Sequence, residues 1–182
     1  LTKTPMGSRM LVRRLSCPLT DPDEINKRLD AVGFLIARTP RRLELRTLLT
    51  RCADIERIAG RIAYGNAGPR DLVALAASLE VLPEIRTILQ ESHNDEIPSH
   101  ITSALEDLRD VPDLIGIIEN AIADDPPALA RNGGVIRPGY SQELDSLKGT
   151  LHSGKDWIVR LQDVERQKTG IKSLKIGYNR IF

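Results

Sequence analysis

One segment, residues 141–170, constrains the fold of this 182-residue chain more than any other. Ser141 can cap the start of a helix and Gly170 can end one, so the two residues predict the limits of a single long helix. At about 1.5 Å per residue that helix would be about 45 Å long. Between the two ends, apolar or small residues recur in steps of three and four, the spacing of a helix packed along one seam: Leu144, Leu147, Leu151, Gly154, Ile158 and Leu161.

Most of the chain before this segment also has helical periodicity. Residues 21–24 (DPDE) supply an N-cap, a proline at the first helical position and a capping-box acid at the third. Thr4 and Pro5 open an earlier helix, which Pro18 closes. We expect six apolar stripes to form the core of a helical bundle. One of them, from Leu72 to Leu82, should lie in a single helix that ends at Pro83. The stripes are Ile25, Leu29, Val32 and Ile36; Leu45, Leu48 and Leu49; Leu72, Leu75, Leu79 and Leu82; Ile85 and Leu89; Ile101, Leu105 and Leu108; and Leu114, Ile118 and Ile122.

Two segments differ from this helical pattern. Residues 124–140 are rich in Pro, Gly and Asn, which predicts a small irregular or hairpin excursion. After Gly170 the period changes to alternation, with Leu174, Ile176, Tyr178 and Phe182 on one face, which predicts a half-buried strand. A single strand leaves its backbone groups unpaired, so we expect its partners to lie beyond Phe182. The fold class is therefore all-α: a multi-helix bundle (1–140), one long helix (141–170) and a C-terminal strand fragment (171–182).

Composition excludes several classes of protein. The hydrophobic fraction of 41% can build an ordinary core, which argues against a disordered chain. No apolar run approaches the roughly 20 residues of a membrane span, and no signal peptide is visible, so we expect a cytoplasmic protein that does not bind a membrane. The two cysteines and three histidines have no metal-binding or disulfide spacing.

The net charge of +1 conceals a strong segregation along the chain. Residues 1–70 contain 14 basic and 7 acidic side chains, residues 71–147 contain 4 and 15, and residues 148–182 contain 8 and 3, which gives +7, −11 and +5. This segregation fits a chain whose two ends face a polyanion. It also fits ordinary helix faces that are exposed to solvent.

No sequence motif indicates a catalytic site, so we predict that this segment is not an enzyme. Residues 149–155 (GTLHSGK) match the first seven positions of a phosphate-binding P-loop. Asp156 stands where the P-loop hydroxyl should bind magnesium, no apolar strand precedes the motif, and the motif lies within the predicted long helix. We therefore reject a nucleotide site and expect no cofactor or metal here.

Basic side chains cluster where the long helix meets the predicted strand. Phosphate binding requires cations on one face, and the scarcity of aromatic residues disfavours base stacking. For Arg9, Arg13 and Arg14 of the first helix we expect ion pairs with the acidic middle of the chain instead. The candidate ligands for nucleic-acid phosphates are Arg166, Lys168, Lys172, Lys175 and Arg180.

Seven blocks of sequence, in order along nearly the whole chain, resemble the MutS family of DNA mismatch-repair ATPases. They are TKTPMGSRML at 2–11, PLTD at 18–21, DIER with GRI at 54–62, PRDL at 69–72, DDPP at 124–127, GGVI with GY at 133–140, and TGIKSLKIGYN at 169–179.

The resemblance implies that residues 1–140 form the helical core, residues 141–170 the lever helix, and residues 171–182 the first strand of a truncated DNA-clamp domain. The parent protein would be a homodimeric ATPase that uses ATP and Mg, embraces mismatched double-stranded DNA and recruits a MutL-type partner. This segment would supply a noncatalytic link between the ATPase domain and the clamp. The alternative from the residues alone is a self-contained helical protein-interaction module, whose acidic middle binds a basic partner.

Overall fold

In a computed structural model, residues 1–91 and 96–177 are described, with backbone alone for 152–156. Within these residues the chain forms α-helices and one short 3₁₀ helix and has no strand, so the all-α prediction is confirmed for the described part. The chain divides into two compact units, residues 1–137 and residues 138–182.

The first unit contains eight helices among its described residues. Six of them have a proline at the first or second helical position, where its fixed φ favours the helix and its missing N–H is not needed. The helices are α1 (Pro5–Ser16), α2 (Pro22–Ala37), α3 (Thr39–Leu49), α4 (Ile55–Ala63), α5 (Pro69–Leu79), α6 (Leu82–Gln90), α7 (Ser99–Asp107) and α8 (Pro112–Ala121).

Helix α2 begins where the sequence predicts, but not with the predicted capping box. The Asp21 carboxylate accepts a hydrogen bond from the backbone N–H of Asp23 at 3.0 Å. Glu24 does not complete the box, because its carboxylate binds the ammonium group of Lys27 at 2.6 Å. The N-terminal cap is therefore provided by Asp21 alone.

Pro83 begins a helix instead of ending one. The predicted stripe from Leu72 to Leu82 spans two helices, since α5 ends at Leu79 and α6 begins at Leu82 with Pro83 as its second residue. The prediction of one helix up to Pro83 is wrong, because a proline is as compatible with the first turn of a new helix as with the end of the previous one. Helix α4, capped by Asp54, was not predicted.

Two apolar clusters form the core of the first unit. One is built around Ile58, Leu75 and Ile118, so it joins α4, α5 and α8. The other is built around Phe34 and Ile101 and joins α2 to α7. Most of the predicted stripes contribute to these clusters, as expected.

The stripe on α2 belongs to neither cluster, and its predicted burial is wrong. Ile25 is 37% exposed, and Leu29 and Ile36 are each 59% exposed. The helix instead buries Ala31 and Phe34, which lie on a different face. Contacts with α3 and α7 decide which face is buried. That choice is not visible in the periodicity of α2 itself.

The predicted excursion is an irregular segment closed at its base. Ile122 and Ile136 form an antiparallel bridge, in which the N–H of Ala123 donates to the Val135 carbonyl and the N–H of Arg137 to the Ala121 carbonyl, both at 2.9 Å. Between the bridged residues, the described backbone contains a turn of 3₁₀ helix at Ala130–Asn132.

The second unit contains the long helix, α9 (Gln142–Thr169), and both predicted ends are confirmed. The Ser141 hydroxyl accepts from the N–H of Leu144 at 3.3 Å, and Gly170 ends the helix in a left-handed conformation with φ 71°. Its 28 residues give a length of about 42 Å. Residues 171–177 form a turn followed by chain without strand pairing, and residues 178–182 of the predicted strand lie outside the described residues.

Candidate nucleic-acid interface

Four of the predicted phosphate-binding residues, Arg166, Lys168, Lys172 and Lys175, lie where α9 ends and the chain turns back. The N–H of Gly170 donates to the Arg166 carbonyl at 2.9 Å, and the N–H of Leu174 donates to the Ile171 carbonyl at 3.2 Å. This turn brings the backbone of residues 174–176 next to the last turns of the helix.

Two side chains of α9 hold the returning backbone. The Arg166 Nε donates to the carbonyl of Leu174 at 2.8 Å. Four residues earlier on the helix, the Gln162 Oε1 accepts from the N–H of Ile176 at 3.0 Å. Together they fix the direction in which the chain leaves α9. Sequence reasoning missed Gln162. Its only signal is the spacing of four from Arg166, which places both side chains on one face of the helix.

The cations of this cluster are not equivalent. Arg166 is engaged with Leu174 and lies 3.7 Å from the Asp163 carboxylate, and Lys168 pairs with Glu165 at 3.0 Å. Lys172 and Lys175 are exposed and form no ion pair with any residue in the described ranges. Arg180 lies outside those ranges.

Arg9 of the first helix pairs with carboxylates, but not those of the acidic middle. Its guanidinium donates two hydrogen bonds to Asp54, at 2.8 and 2.7 Å, and also binds Glu56. The hydrogen bonds from Arg9 lower the pKa of Asp54 to about 2. The predicted pairing with residues 71–147 is therefore wrong for Arg9, and Arg13 and Arg14 are exposed without an ion pair to the described part of the chain.

Other arginines of the basic start do pair with the acidic middle. The Arg61 guanidinium binds the Asp71 carboxylate at 2.6 and 2.8 Å, and Asp71 also accepts the N–H of Gly68 at 3.0 Å, so the pKa of Asp71 is lowered. The opposite charges of the first two regions thus partly neutralise each other within the first unit. Further pairs of this kind are Arg41 with Glu91, Arg51 with Glu84, and Arg70 with Asp125.

The P-loop-like segment lies within α9, as predicted. Because residues 149–155 are helical, their amides belong to the intrahelical ladder and do not fit a phosphate. The described residues contain no group of three or more His, Cys, Asp or Glu side chains that could hold a metal ion. Among the same residues, no helix is both long and apolar enough to span a membrane.

The chain combines a bundle of short helices with a long helix capped at both ends, and the family model of MutS domain III matches residues 1–175. The chain belongs to the MutS family. It is 47% identical to the DNA mismatch repair protein MutS of Methanosarcina barkeri over 181 residues, and 46% identical to that of Methanosarcina mazei. The protein of the same name from Symbiobacterium thermophilum is 45% identical.

Each of these matches covers the whole of this chain but only 20% of the relative. The chain therefore spans about a fifth of the length of the relatives that it matches.

Proposed function

We propose that this chain is the noncatalytic helical core and lever of a MutS-type DNA mismatch repair protein, linking the ATPase domain of the parent to the clamp that embraces mismatched duplex DNA. The main support is α9, a 28-residue helix capped at both ends whose exit is held by two side chains. A continuous helix keeps the distance between its ends nearly constant, because bending it disturbs many backbone hydrogen bonds together. Such a helix can transmit a displacement over about 42 Å.

Residues 171–182 would begin the clamp. Among the described residues of this segment, Leu174 and Ile176 are half-buried while Lys175 and Gly177 are exposed, which supports an extended segment with one covered face. We propose that the remaining strands of the clamp lie elsewhere in the parent chain and pair with this segment.

Contact with DNA would come from Lys172 and Lys175, together with Arg180. The exposed lysines carry charges that no described carboxylate neutralises, whereas Lys168 is already paired with Glu165. Such contacts position the protein on the phosphate backbone and carry no sequence preference.

The ATP and Mg of the parent would bind outside this chain, because the helical residues 149–155 do not fit a nucleotide. The purified chain should therefore not hydrolyse ATP. Turnover that is abolished by Lys155→Ala would contradict the proposal. In the parent, assembly as a homodimer and recruitment of a MutL-type partner, in the cytoplasm, complete the proposed role.

The mechanical role can be tested by interrupting α9 in the full-length parent. Val159 is exposed near the middle of the helix, so Val159→Pro removes a backbone hydrogen bond and costs about 3 kcal/mol or more locally, while Val159→Ala keeps the helix. We expect Val159→Pro to retain ATP hydrolysis without DNA but to lose ATP-dependent release from mismatched duplex. Normal release by the proline variant, measured by surface-bound DNA dissociation, would refute the role of α9.

The DNA contacts can be tested through the salt dependence of duplex binding by the same parent. Each lost phosphate contact reduces the slope of log K against log salt by about 0.9 to 1. We expect Lys172→Ala and Lys175→Ala each to show this reduction, and the paired Lys168→Ala to show a smaller one. Equal slopes for all three variants and the wild type would exclude these lysines as contacts.

A further inference from the structure

The chain that returns after α9 is bound to the helix at two points whose spacings match. The Arg166 Nε donates to the Leu174 carbonyl at 2.8 Å, and the Gln162 Oε1 accepts from the Ile176 N–H at 3.0 Å. Four residues of an α-helix rise about 6 Å, and two residues of an extended chain span about 6.6 Å. The two hydrogen bonds therefore fit an extended segment that runs back along the last turns of α9.

Both bonded backbone groups lie on one edge of this segment. In an extended chain, the carbonyl of one residue and the N–H two residues later point to the same side, where a neighbouring strand would bind them. The side chains of Arg166 and Gln162 take the place of that strand. Because the residues before and after Lys175 are both held from this edge, rotation of the Lys175 backbone about the chain axis is restricted.

The side chain of Lys175 lies on the face that α9 does not cover. Leu174 and Ile176 are half-buried, whereas Lys175 between them is exposed, which is the alternation of an extended chain. The two hydrogen bonds thus set the direction in which the Lys175 ammonium group projects. A cation whose direction is fixed in advance loses less conformational freedom when it binds a phosphate.

Lys172, the other exposed lysine, is supported in a different way. It lies in the turn in which the N–H of Leu174 donates to the Ile171 carbonyl at 3.2 Å. In the described part of the chain, Gln162 bonds to Ile176, which lies beyond this turn. Lys172 is therefore a control of the same charge and similar exposure that does not depend on Gln162.

We infer that Gln162 and Arg166 are positioning residues for the contact of Lys175 with a DNA phosphate. This inference rests on the proposed function, which makes Lys175 one of the DNA contacts. Gln162 provides the cleaner test of the two, because its replacement removes no charge, whereas the guanidinium of Arg166 itself attracts phosphates.

Hydrogen exchange in the full-length parent without DNA tests the hydrogen bond itself. Gln162→Met keeps the length of the side chain but removes the acceptor, so the Ile176 amide should exchange about 2- to 12-fold faster, the effect of one lost hydrogen bond. Gln162→Glu keeps an acceptor oxygen and should retain the protection. Unchanged exchange in Gln162→Met, or equally fast exchange in both variants, would overturn the inference.

A double-mutant cycle in duplex binding by the parent tests the positioning. Lys175→Ala and Lys172→Ala are each made alone and together with Gln162→Met. We expect Lys175→Ala to weaken binding less in the Gln162→Met background than in the wild type, by a factor of about two or more, as for residues that act together. Lys172→Ala should weaken binding equally in both backgrounds. The same coupling for both lysines, or none for Lys175, would refute the positioning role.

The single lysine variants separate this inference from the proposed function. If Lys175→Ala alone weakens binding and reduces its salt dependence but shows no coupling to Gln162, only the positioning inference fails. If Lys175→Ala alone changes neither quantity, the proposed DNA contact fails, and the positioning of Lys175 fails with it. Circular dichroism of the same preparations confirms that each variant is folded.

Discussion

Ser78 offers a sharp test of how the first unit is held together. It is fully buried on α5, and its hydroxyl donates to the Ala74 carbonyl at 2.6 Å and accepts from the N–H of Ala53 at 2.8 Å. The second bond joins α5 to the segment that precedes α4. In Ser78→Ala, the Ala74 carbonyl can still accept its helical bond, but the Ala53 N–H loses its acceptor.

The expected cost follows from that lost acceptor. A buried donor without a partner costs about 1–3 kcal/mol, and because Ala53 is half-buried we expect about 1–2 kcal/mol, or roughly a 5- to 30-fold change in the unfolding equilibrium. Urea unfolding of the chain, followed by circular dichroism, measures the difference. The matched control is Ser103→Ala on α7, where the serine is exposed and the change should stay within about 0.5 kcal/mol. If Ser78→Ala costs no more than Ser103→Ala, the hydroxyl does not hold the two segments together.

Two further predictions concern α9 and the acid stability of the first unit. Gly170→Ala should destabilise the end of α9 by about 1 kcal/mol, because Gly170 has a φ of 71° that alanine adopts only with strain. Gly149→Ala should instead stabilise the helix by about 0.5–1 kcal/mol, because the added methyl meets no neighbouring side chain. The two variants should therefore shift the thermal unfolding temperature in opposite directions, and shifts of the same sign would contradict this prediction. The low pKa of Asp54, caused by Arg9, stabilises the fold above about pH 4, and this stabilisation is lost as the pH falls toward 2. The urea midpoints of wild type and Asp54→Asn should therefore differ at pH 6 and converge near pH 2, and a difference independent of pH would argue against the ion pair.

The parts of the fold that were predictable are those specified locally. The limits of α9 follow from Ser141 and Gly170, since a capping hydroxyl and a left-handed glycine act within one turn of the helix. The buried face of α2 was not predictable, because both its faces carry large apolar residues. Packing of Phe34 and Ala31 on the neighbouring helices, rather than the periodicity, decides which face is inside.

The candidate nucleic-acid interface likewise has features that the sequence predicts and contacts that it does not predict. The sequence predicts that cations gather after α9, but not that Arg166 is bound to the Leu174 carbonyl, since that contact depends on how the chain turns after Gly170. It also does not predict that Arg9 pairs with Asp54, because the two residues are 45 positions apart. Long-range pairing distinguishes cations that hold the fold from cations that remain available to a ligand.

The bridge between Ile122 and Ile136 makes the segment it closes a suitable place for a reporter. Two backbone hydrogen bonds at its base hold the flanking residues together. Gly133 and Gly134 are exposed there and have no neighbouring atoms that added side chains would meet. We expect a short peptide tag or a fluorophore inserted between these glycines to leave the bundle intact. The parent protein could then be labelled and followed on DNA without altering either the helices or the exit of α9.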